Sequence, residues 1–538
     1  MRAPFAIVAF LLLATPALPA TIPLPSDDAR WTTITLGDLT IYSDARDGVT
    51  RELAERMIRM REAVAHVTGL PLRVTLPTRV FIFRNGAELA PYRTAAGQPS
   101  GADGLFIAAP LGNYVAVSTK SAADVDRIVY HEFAHSIIRG LGPDLPPWLV
   151  EGLAELFSTF NVVRDVVIVG LPVSNHAQWL NGRTLVNVRE IVDPPPGSID
   201  FNDEKPGGIF YGESWALTHF LLLGDTDRRP QLAEYLQLLA AQKSPEEAFT
   251  KAFGSYDAIT TELRQYMATM RRHSRRIGLP ELHGTPMPEP SPLARDELLF
   301  ALGDFLTNGT RDDGAEDLLR EALRLNPSHT GAMASLGTLL ERTDRRAEAA
   351  ELFGKAVKLG SRDPRVHVLY GESLLARFGA MQRRGSDIPF HEVEQARALF
   401  DVALKLDENN PLAWAGRGAT YLFTRENAQP GIDALEKSLA LAPGQIDVAT
   451  NLVFLYARAR RRDEAKRLID RVVAPAGDPS MLAVARDNLL AADILDAGDL
   501  LNASKKEEAL KLLRPAMKVA STERLRKQIS RMIDRALR

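Results

Sequence analysis

Hydrophobic and polar positions in the first third of the chain predict both strands and a helix. Residues 33–42 alternate as a half-buried strand does, and residues 79–83 form a short β-rich apolar run. Two further runs, 105–108 and 114–118, are separated by a short turn and predict a strand pair. Residues 50–66 instead repeat apolar positions at helical spacing, so this part of the chain mixes both kinds of element.

The pattern becomes helical after residue 120. Residues 121–140 predict an amphipathic helix that begins at a capping-box-like Ser-Ala-Ala-Asp sequence and stops at a glycine. A proline opens a second helix at 147–157, and three more helical stretches follow near 211–223, 229–241 and 256–272. We therefore predict a mixed α/β unit over residues 21–278, with its two central helices within 121–158.

The second half of the chain repeats itself. Residues 279–294 are rich in proline, and we interpret them as a linker. Beyond them small residues recur 34 positions apart, as in the pairs Ala315 and Ala349, Ala322 and Ala356, and Gly337 and Gly371. This period resembles that of the tetratricopeptide family, which implies about five or six degenerate units within 295–538 and a groove for a protein or peptide. An unrelated helical bundle is the alternative.

The first twenty residues have the layout of a secretory signal peptide. Arg2 precedes an apolar run at 5–13, and prolines and small residues follow up to a cleavage point after Ala17 or Ala20. A retained anchor is the alternative. No other segment approaches the ~20 consecutive apolar residues of a membrane-spanning helix. The sequence therefore predicts an exported protein, periplasmic or secreted, without a transmembrane segment in its mature form.

Composition limits the chemistry of any metal site. The chain has no cysteine, so a metal would be held by His, Asp and Glu, which are the ligands of catalytic zinc rather than of closed thiolate sites. The formal net charge of -3 gives no reason to expect nucleic acid as a partner.

One motif combines these ligand types. His131-Glu-Phe-Ala-His135 is an H-E-x-x-H sequence, and residues four apart on a helix share one face, so both imidazoles can reach a single zinc ion. Glu132 would lie beside the metal and take a proton from zinc-bound water. Burying these groups is costly unless they are paired or bound to metal, and the residues before the motif predict burial: Val125, Ile128 and Val129.

A downstream segment carries a family resemblance. Residues 148–155, Trp-Leu-Val-Glu-Gly-Leu-Ala-Glu, resemble the W-L-x-E-G-x-A-E segment of gluzincin zinc peptidases. The region from about 30 to 270 resembles the peptidase MA-like family of bacterial exported proteins. This resemblance implies an α+β zincin-like metallopeptidase domain, followed by an all-α tetratricopeptide-repeat solenoid. It also implies Glu151 as the third zinc ligand and Glu155 as the carboxylate that orients a ligand histidine.

The residues alone leave alternatives to these two assignments. Both glutamates can lie on a solvated helix face, and Glu213 can supply the third ligand if Glu151 does not. A metzincin site is excluded, because the positions where that class has glycine and a third histidine hold Ile138 and Leu141.

The resemblance extends to a residue that would stabilise the oxyanion. Gluzincins commonly supply a tyrosine or histidine downstream of the third ligand, and here Tyr211 opens a predicted helix in that region. An ordinary core tyrosine is the alternative, and His219 and Glu213 are weaker competitors. His176 is predicted to be a loop residue.

These features predict a zinc-dependent peptidase with one Zn²⁺ per chain. It would hydrolyse a peptide or protein substrate by Glu132-assisted attack of zinc-bound water, while the tetratricopeptide groove would bind a protein partner. Residues 112–117 lack the acidic residue of the aminopeptidase G-x-M-E-N strand, so the sequence gives no support for an aminopeptidase. The choice between endopeptidase and exopeptidase remains open. The alternative function is a non-catalytic or metal-stabilised scaffold or assembly factor that acts through its repeats.

Overall fold

The computed structural model of the chain describes residues 22, 24–26, 29–70, 76–95, 104–119, 125–141, 145–163, 166–172, 187–194, 209–240, 243–269, 274–278, 287–309, 314–442, 445–474 and 478–538. The predicted signal peptide lies outside the described residues, as do His176 and residues 279–286 of the predicted linker.

Nine strands in the described part of the chain form two sheets. The strands are β1 (Thr32–Leu36), β2 (Leu39–Ser43), β3 (Thr78–Phe83), β4 (Gly104–Ala109), β5 (Gly112–Ser118), β6 (Asn161–Val163), β7 (Val166–Val169), β8 (Arg275–Gly278) and β9 (Ser291–Pro292). The larger sheet has the order β4-β5-β3-β2-β1-β9, and β6-β7-β8 form a small one. In the larger sheet β2, β3 and β5 run parallel, whereas the edge strands β4 and β9 are antiparallel to their neighbours.

Helices follow and flank these strands. The helices of this part are α1 (Asp47–Thr68), α2 (Gly86–Ala95), α3 (Val125–Leu141), α4 (Pro147–Ser158), α5 (Val188–Val192), α6 (Ile209–Leu223), α7 (Arg229–Ala240), α8 (Pro245–Phe253) and α9 (Tyr256–Thr269). Pro147 begins α4 as the sequence predicts, because a proline at the first helical position has no amide hydrogen to leave unpaired.

The two faces of the larger sheet are both buried. Along β3, Val80 and Ile82 belong to the core formed with α1 and α3. Phe81 and Phe83 point to the opposite face and belong to a second core that includes the first repeat helices. Burial on both faces explains why β3 is a continuous apolar run and not an alternating one.

The second half of the chain consists of stacked helical hairpins. Its helices are α10 (Arg295–Thr307), α11 (Ala315–Leu325), α12 (Thr330–Arg342), α13 (Arg346–Lys358), α14 (Pro364–Arg384), α15 (Phe390–Leu406), α16 (Pro411–Ala419), α17 (Gln429–Leu441), α18 (Ile446–Arg458), α19 (Arg462–Leu468), α20 (Pro479–Leu489), α21 (Ala491–Asn502), α22 (Lys506–Val519) and α23 (Glu523–Leu537). The recurring small residues lie where paired helices cross. A Cβ atom on Gly337 would lie 2.9 Å from the Phe353 ring, and one on Gly371 would lie 2.5 Å from the Phe400 ring.

The end of the predicted linker belongs to the sheet. Ser291 and Pro292 pair with Thr33 and Thr32 as strand β9, and the Leu293 amide donates to the Trp31 carbonyl at 2.9 Å. The repeats therefore begin directly at the sheet edge. Among the described helices, each is too short or too polar to cross a bilayer.

Candidate metal centre

Two consecutive helices bring the H-E-x-x-H motif and the downstream glutamates together. The Nε2 atoms of His131 and His135, one turn apart on α3, are 3.2 Å from each other. Glu151 on α4 directs Oε2 toward both, at 3.7 Å from each Nε2 atom. Three potential ligand atoms from two helices thus converge on one point.

The converging group is largely buried yet reachable. The side chains of His131, His135 and Glu151 are 16%, 14% and 16% exposed. Their ligand atoms all lie within 4.8 Å of one another, and no other His, Asp or Glu of the described residues joins them. Glu213, the alternative third ligand, is buried on α6 outside this group.

The donor set fits a zinc ion. Two ligands that are each about 2.0–2.1 Å from a tetrahedral zinc ion lie about 3.3–3.4 Å apart. The separations of 3.2 and 3.7 Å found here bracket that value. Two imidazoles and one carboxylate leave a fourth position open, which is the arrangement of catalytic rather than structural zinc. The residues present therefore fit the metal that the sequence predicts.

Glu155 lies next to the other nitrogen of His131. Its Oε1 atom is 3.3 Å from His131 Nδ1, and its Oε2 atom accepts a hydrogen bond from Arg127 Nη1 at 3.2 Å. The Glu155 side chain is only 8% exposed. It thus lies beside the ring nitrogen of His131 that does not face His135 and Glu151.

Strand β4 covers the motif from the sheet side. A Cβ atom on Gly104 would lie 2.7 Å from Ile128 Cγ2 and 3.0 Å from Glu132 Cγ, so only glycine allows this approach. The Phe106 ring stacks on His135 with a centroid distance of 5.8 Å and an interplanar angle of 22°. The first residues of the edge strand β4 therefore pack against Glu132 and His135.

Burial and charge perturb the titration of the whole cluster. Burial lowers the pKa of His131, but the carboxylates of Glu155, Glu132 and Glu151 outweigh it and raise that pKa to about 9. Burial and the neighbouring His131 charge lower the pKa of His135 to about 3. Burial raises the pKa of Glu132, and it raises that of Glu151 to about 7. A buried cluster with perturbed titration is typical of functional sites.

Tyr211 lies near the cluster because α6 packs closely on α4. A Cβ atom on Gly152 would lie 2.1 Å from Thr218 Oγ1 and 2.5 Å from the Ser214 carbonyl oxygen, so the glycine permits this crossing. Burial raises the pKa of Tyr211 to about 12, with further increases from the charges of Glu151, Glu155 and Glu132. The half-buried phenol is thus close enough to sense the carboxylates and stays protonated.

The histidine that competed with Tyr211 belongs to the core. His219 Nε2 lies 3.0 Å from the Gly170 carbonyl oxygen, which can only accept, so this nitrogen carries the proton. His219 Nδ1 then accepts from the Tyr266 hydroxyl at 2.6 Å. Both nitrogens are used within the fold, which leaves His219 no free donor for the oxyanion.

Three residues of the site were not identified from the sequence: Arg127, Gly104 and Phe106. Arg127 precedes His131 by four residues, so the helical spacing that identified the histidines also places it on their face. Gly104 and Phe106 precede the motif by more than twenty residues, and their contacts arise only from the packing of β4 on α3.

No known protein-family profile matches the chain. Cellulose synthase operon protein C of Xanthomonas axonopodis pv. citri (strain 306) is 28% identical over 207 residues, which cover 37% of this chain and 13% of that protein. The chain therefore spans only a small part of the length of the curated relative that it matches.

Solved structures of repeat proteins are also similar. The Pseudomonas aeruginosa PilF protein is 21% identical with a TM-score of 0.31, over 44% of this chain and 97% of that one. A thermophilic tetratricopeptide repeat protein of Thermus thermophilus is 22% identical with a TM-score of 0.29, over 36% and 99%. Tetratricopeptide-like repeat proteins thus match the chain, as predicted. These comparisons carry no support for a zincin domain, which stays a prediction.

Proposed function

We propose that this chain is a tetratricopeptide-like repeat protein that carries a zinc-dependent peptide hydrolase centre. One observation carries the proposal: the ligand atoms of His131, His135 and Glu151 converge, with Glu132 adjacent to them on α3. The relatives supply only the repeat fold, so the support for hydrolysis is the chemistry of this site.

The side chains around the site have separate tasks in the proposed reaction. When bound, a zinc ion would polarise the scissile carbonyl and acidify a water molecule. Glu132 would take the proton of the attacking water and deliver it to the leaving amine. Tyr211 would donate a hydrogen bond to the carbonyl oxygen as negative charge develops there.

The edge strand supports a peptide as the substrate. Among the described strands β4 pairs with β5 alone, and an edge strand of this kind carries main-chain groups that can pair with a further strand. An extended peptide can add to such an edge as a further strand. Because Gly104 and Phe106 contact Glu132 and His135, a peptide on this edge would run past the proposed metal.

The proposal includes export and a protein partner. The signal-like first twenty residues support a periplasmic or secreted location. Similarity to repeat proteins supports protein binding by the hairpins. The sheet already packs on the earlier hairpins through the hydrogen bond of Tyr114 with Asp304. Leu111, between β4 and β5, also packs against a cluster that includes Val368 of α14 and Ala413 of α16. We therefore expect a partner on the later hairpins, beyond α16.

Metal content and peptide cleavage test the function together. Purified mature protein should hold about one zinc per chain by mass spectrometry, and His131→Ala and Glu151→Ala should lose it. Zinc-loaded wild type should cleave members of a broad peptide library, whereas Glu132→Gln should keep zinc and lose nearly all cleavage. The proposal would be contradicted if wild type took up no zinc during reconstitution. It would also be contradicted if zinc-loaded Glu132→Gln kept full peptidase activity.

A second candidate function is a scaffold whose metal site does not catalyse. The similarity to repeat proteins favours it, because repeat arrays are built around binding surfaces. It predicts a wild type that binds zinc and a partner protein but cleaves no peptide, and a Glu132→Gln variant that behaves like wild type in every assay.

A further inference from the structure

The metal ligands belong to a longer stripe of charged side chains. Arg127, His131 and His135 are spaced one turn apart on α3, and Glu151 and Glu155 are one turn apart on the facing α4. Within this stripe Arg127 pairs with Glu155, Glu155 contacts His131, and Glu151 contacts both histidines. Arg127 is the member that the proposed reaction does not use.

The two oxygens of Glu155 have different neighbours. Oε2 accepts from Arg127 Nη1 at 3.2 Å, and Oε1 lies 3.3 Å from the buried Nδ1 atom of His131. Because a carboxylate is planar, a guanidinium that holds one oxygen also fixes the direction of the other. Arg127 thereby directs Oε1 toward the histidine.

The direction of Oε1 determines what His131 offers at its other nitrogen. A hydrogen on Nδ1 that points to Glu155 leaves the lone pair on Nε2, the atom that lies 3.2 Å from His135 Nε2. The same contact fixes the ring orientation. A loose Glu155 would let the imidazole turn away from the point where the ligand atoms converge.

We propose that Arg127 is a positioning residue of the metal centre, which holds Glu155 so that Glu155 orients His131. The inference rests on the proposed zinc site and deepens it. It predicts a change in zinc affinity on loss of Arg127 that is opposite to the change expected from simple electrostatics. Removing a cation near a bound cation should strengthen zinc binding, whereas loss of a positioning residue should weaken it.

Zinc affinity of the full-length protein tests the inference without any substrate. Competition with a chromogenic chelator at fixed pH would compare wild type with Arg127→Gln and Arg127→Lys. We expect Arg127→Gln to weaken zinc binding about 10–100-fold, which is typical for loss of an outer hydrogen-bond partner of a ligand. Arg127→Lys should recover part of the loss, because it restores the cation without the planar fork.

Arg56 provides a matched control. Its side chain is 28% exposed against 26% for Arg127, and it also contacts α3, where Nη1 donates to the Tyr130 hydroxyl at 3.0 Å. Arg56→Gln makes the same chemical change away from Glu155 and should leave zinc affinity unchanged. An equal loss in Arg56→Gln would mean that any weakened helix contact lowers affinity, which overturns the assignment.

A double variant shows whether Arg127 acts through Glu155. If it does, Arg127→Gln combined with Glu155→Ala should bind zinc no more weakly than Glu155→Ala alone. Unchanged or tighter binding in Arg127→Gln, or full additivity in the double variant, would overturn the inference while the zinc site itself stands. A wild type that binds no zinc would remove the proposed function as well, so the two failures are distinguishable. If Arg127→Gln does not fold, Arg127→Lys alone must bind zinc more weakly than wild type.

Discussion

The Tyr114 hydroxyl in β5 donates a hydrogen bond of 2.7 Å to Asp304 Oδ2 in α10, a residue 190 positions further along the chain. Asp304 also accepts from the Ser335 hydroxyl at 2.6 Å and from Arg365 Nη1 at 3.2 Å. The residue is only 4% exposed, and a buried carboxylate is tolerated when its oxygens are satisfied in this way. The sheet and three repeat hairpins therefore share one polar network.

Asp304→Asn should destabilise the whole chain. Burial raises the pKa of Asp304, but the Arg365 and Arg79 cations and the hydrogen bonds from Ser335 and Tyr114 hold it below its usual range. The amide leaves Arg365 with less compensation, and breaking a buried pair costs about 3–5 kcal/mol. Thermal melting at neutral pH should show this loss. Tyr114→Phe removes a hydroxyl that donates to Asp304 and accepts from Asn308 Nδ2 and Arg79 Nη1, but it leaves the carboxylate charge paired, so it should cost less, about 1–3 kcal/mol.

The Asp304 carboxylate also makes stability depend on pH. Because its folded-state pKa lies below the unfolded value of about 3.9, it contributes stability above about pH 4 that is lost as the pH falls through the folded pKa. The difference in melting temperature between wild type and Asp304→Asn should be constant from about pH 8 to 5 and shrink below about pH 4. A difference that grows on acidification would contradict this account of the network.

The repeat region should not behave as an independent unit. Phe305 of α10 is fully buried with its ring centroid 5.1 Å from Phe81 of β3, so a fragment of residues 295–538 would expose an apolar face. Such a fragment should bind the dye ANS and self-associate in size-exclusion chromatography, unlike the full chain. A monomeric fragment that binds no ANS and keeps native helicity would show that the repeats fold without the sheet. Partner capture by the repeats is therefore best tested in the full chain.

The sequence predicted much of the local structure, although residues 33–42, predicted as a single strand, form the antiparallel pair β1 and β2. The converging ligands lie within two adjacent helices, where spacings of four residues and one proline start determine the faces. The repeats were also predictable, because small residues recur in the sequence at the repeat period. Contacts such as Tyr114 with Asp304, or Gly104 with Glu132, left no local pattern. They depend on which surfaces meet after folding, and no spacing within one segment encodes that.

Gly152 should be intolerant of alanine. In an ordinary exposed helix interior the change from glycine to alanine stabilises by about 1 kcal/mol. Here the new Cβ atom would meet the Ser214 carbonyl oxygen at 2.5 Å, and a backbone atom cannot rotate away. We expect a net loss of about 1–3 kcal/mol in thermal unfolding as α4 and α6 separate.

Gly498 in α21 is the matched control for Gly152. A Cβ atom added to Gly498 would have Met532 Cε as its nearest neighbour at 3.8 Å, which is an ordinary contact. Gly498→Ala should therefore leave stability unchanged or raise it by up to about 1 kcal/mol. Similar changes in stability for the two alanine variants would mean that crowding at the crossing of α4 and α6 is not what requires glycine at position 152.

Tyr211→Phe should lower the rate of the proposed hydrolysis without loss of zinc. The phenol is expected to donate only when negative charge develops on the substrate, so its removal should reduce kcat by about 10²–10³ and leave KM nearly unchanged. Tyr266→Phe, which removes a hydroxyl bonded to His219 in the core, should lower stability and spare kcat. Peptide cleavage should be measured with both zinc-loaded variants. Equal kcat values would mean that Tyr211 is an ordinary core tyrosine without a role in catalysis.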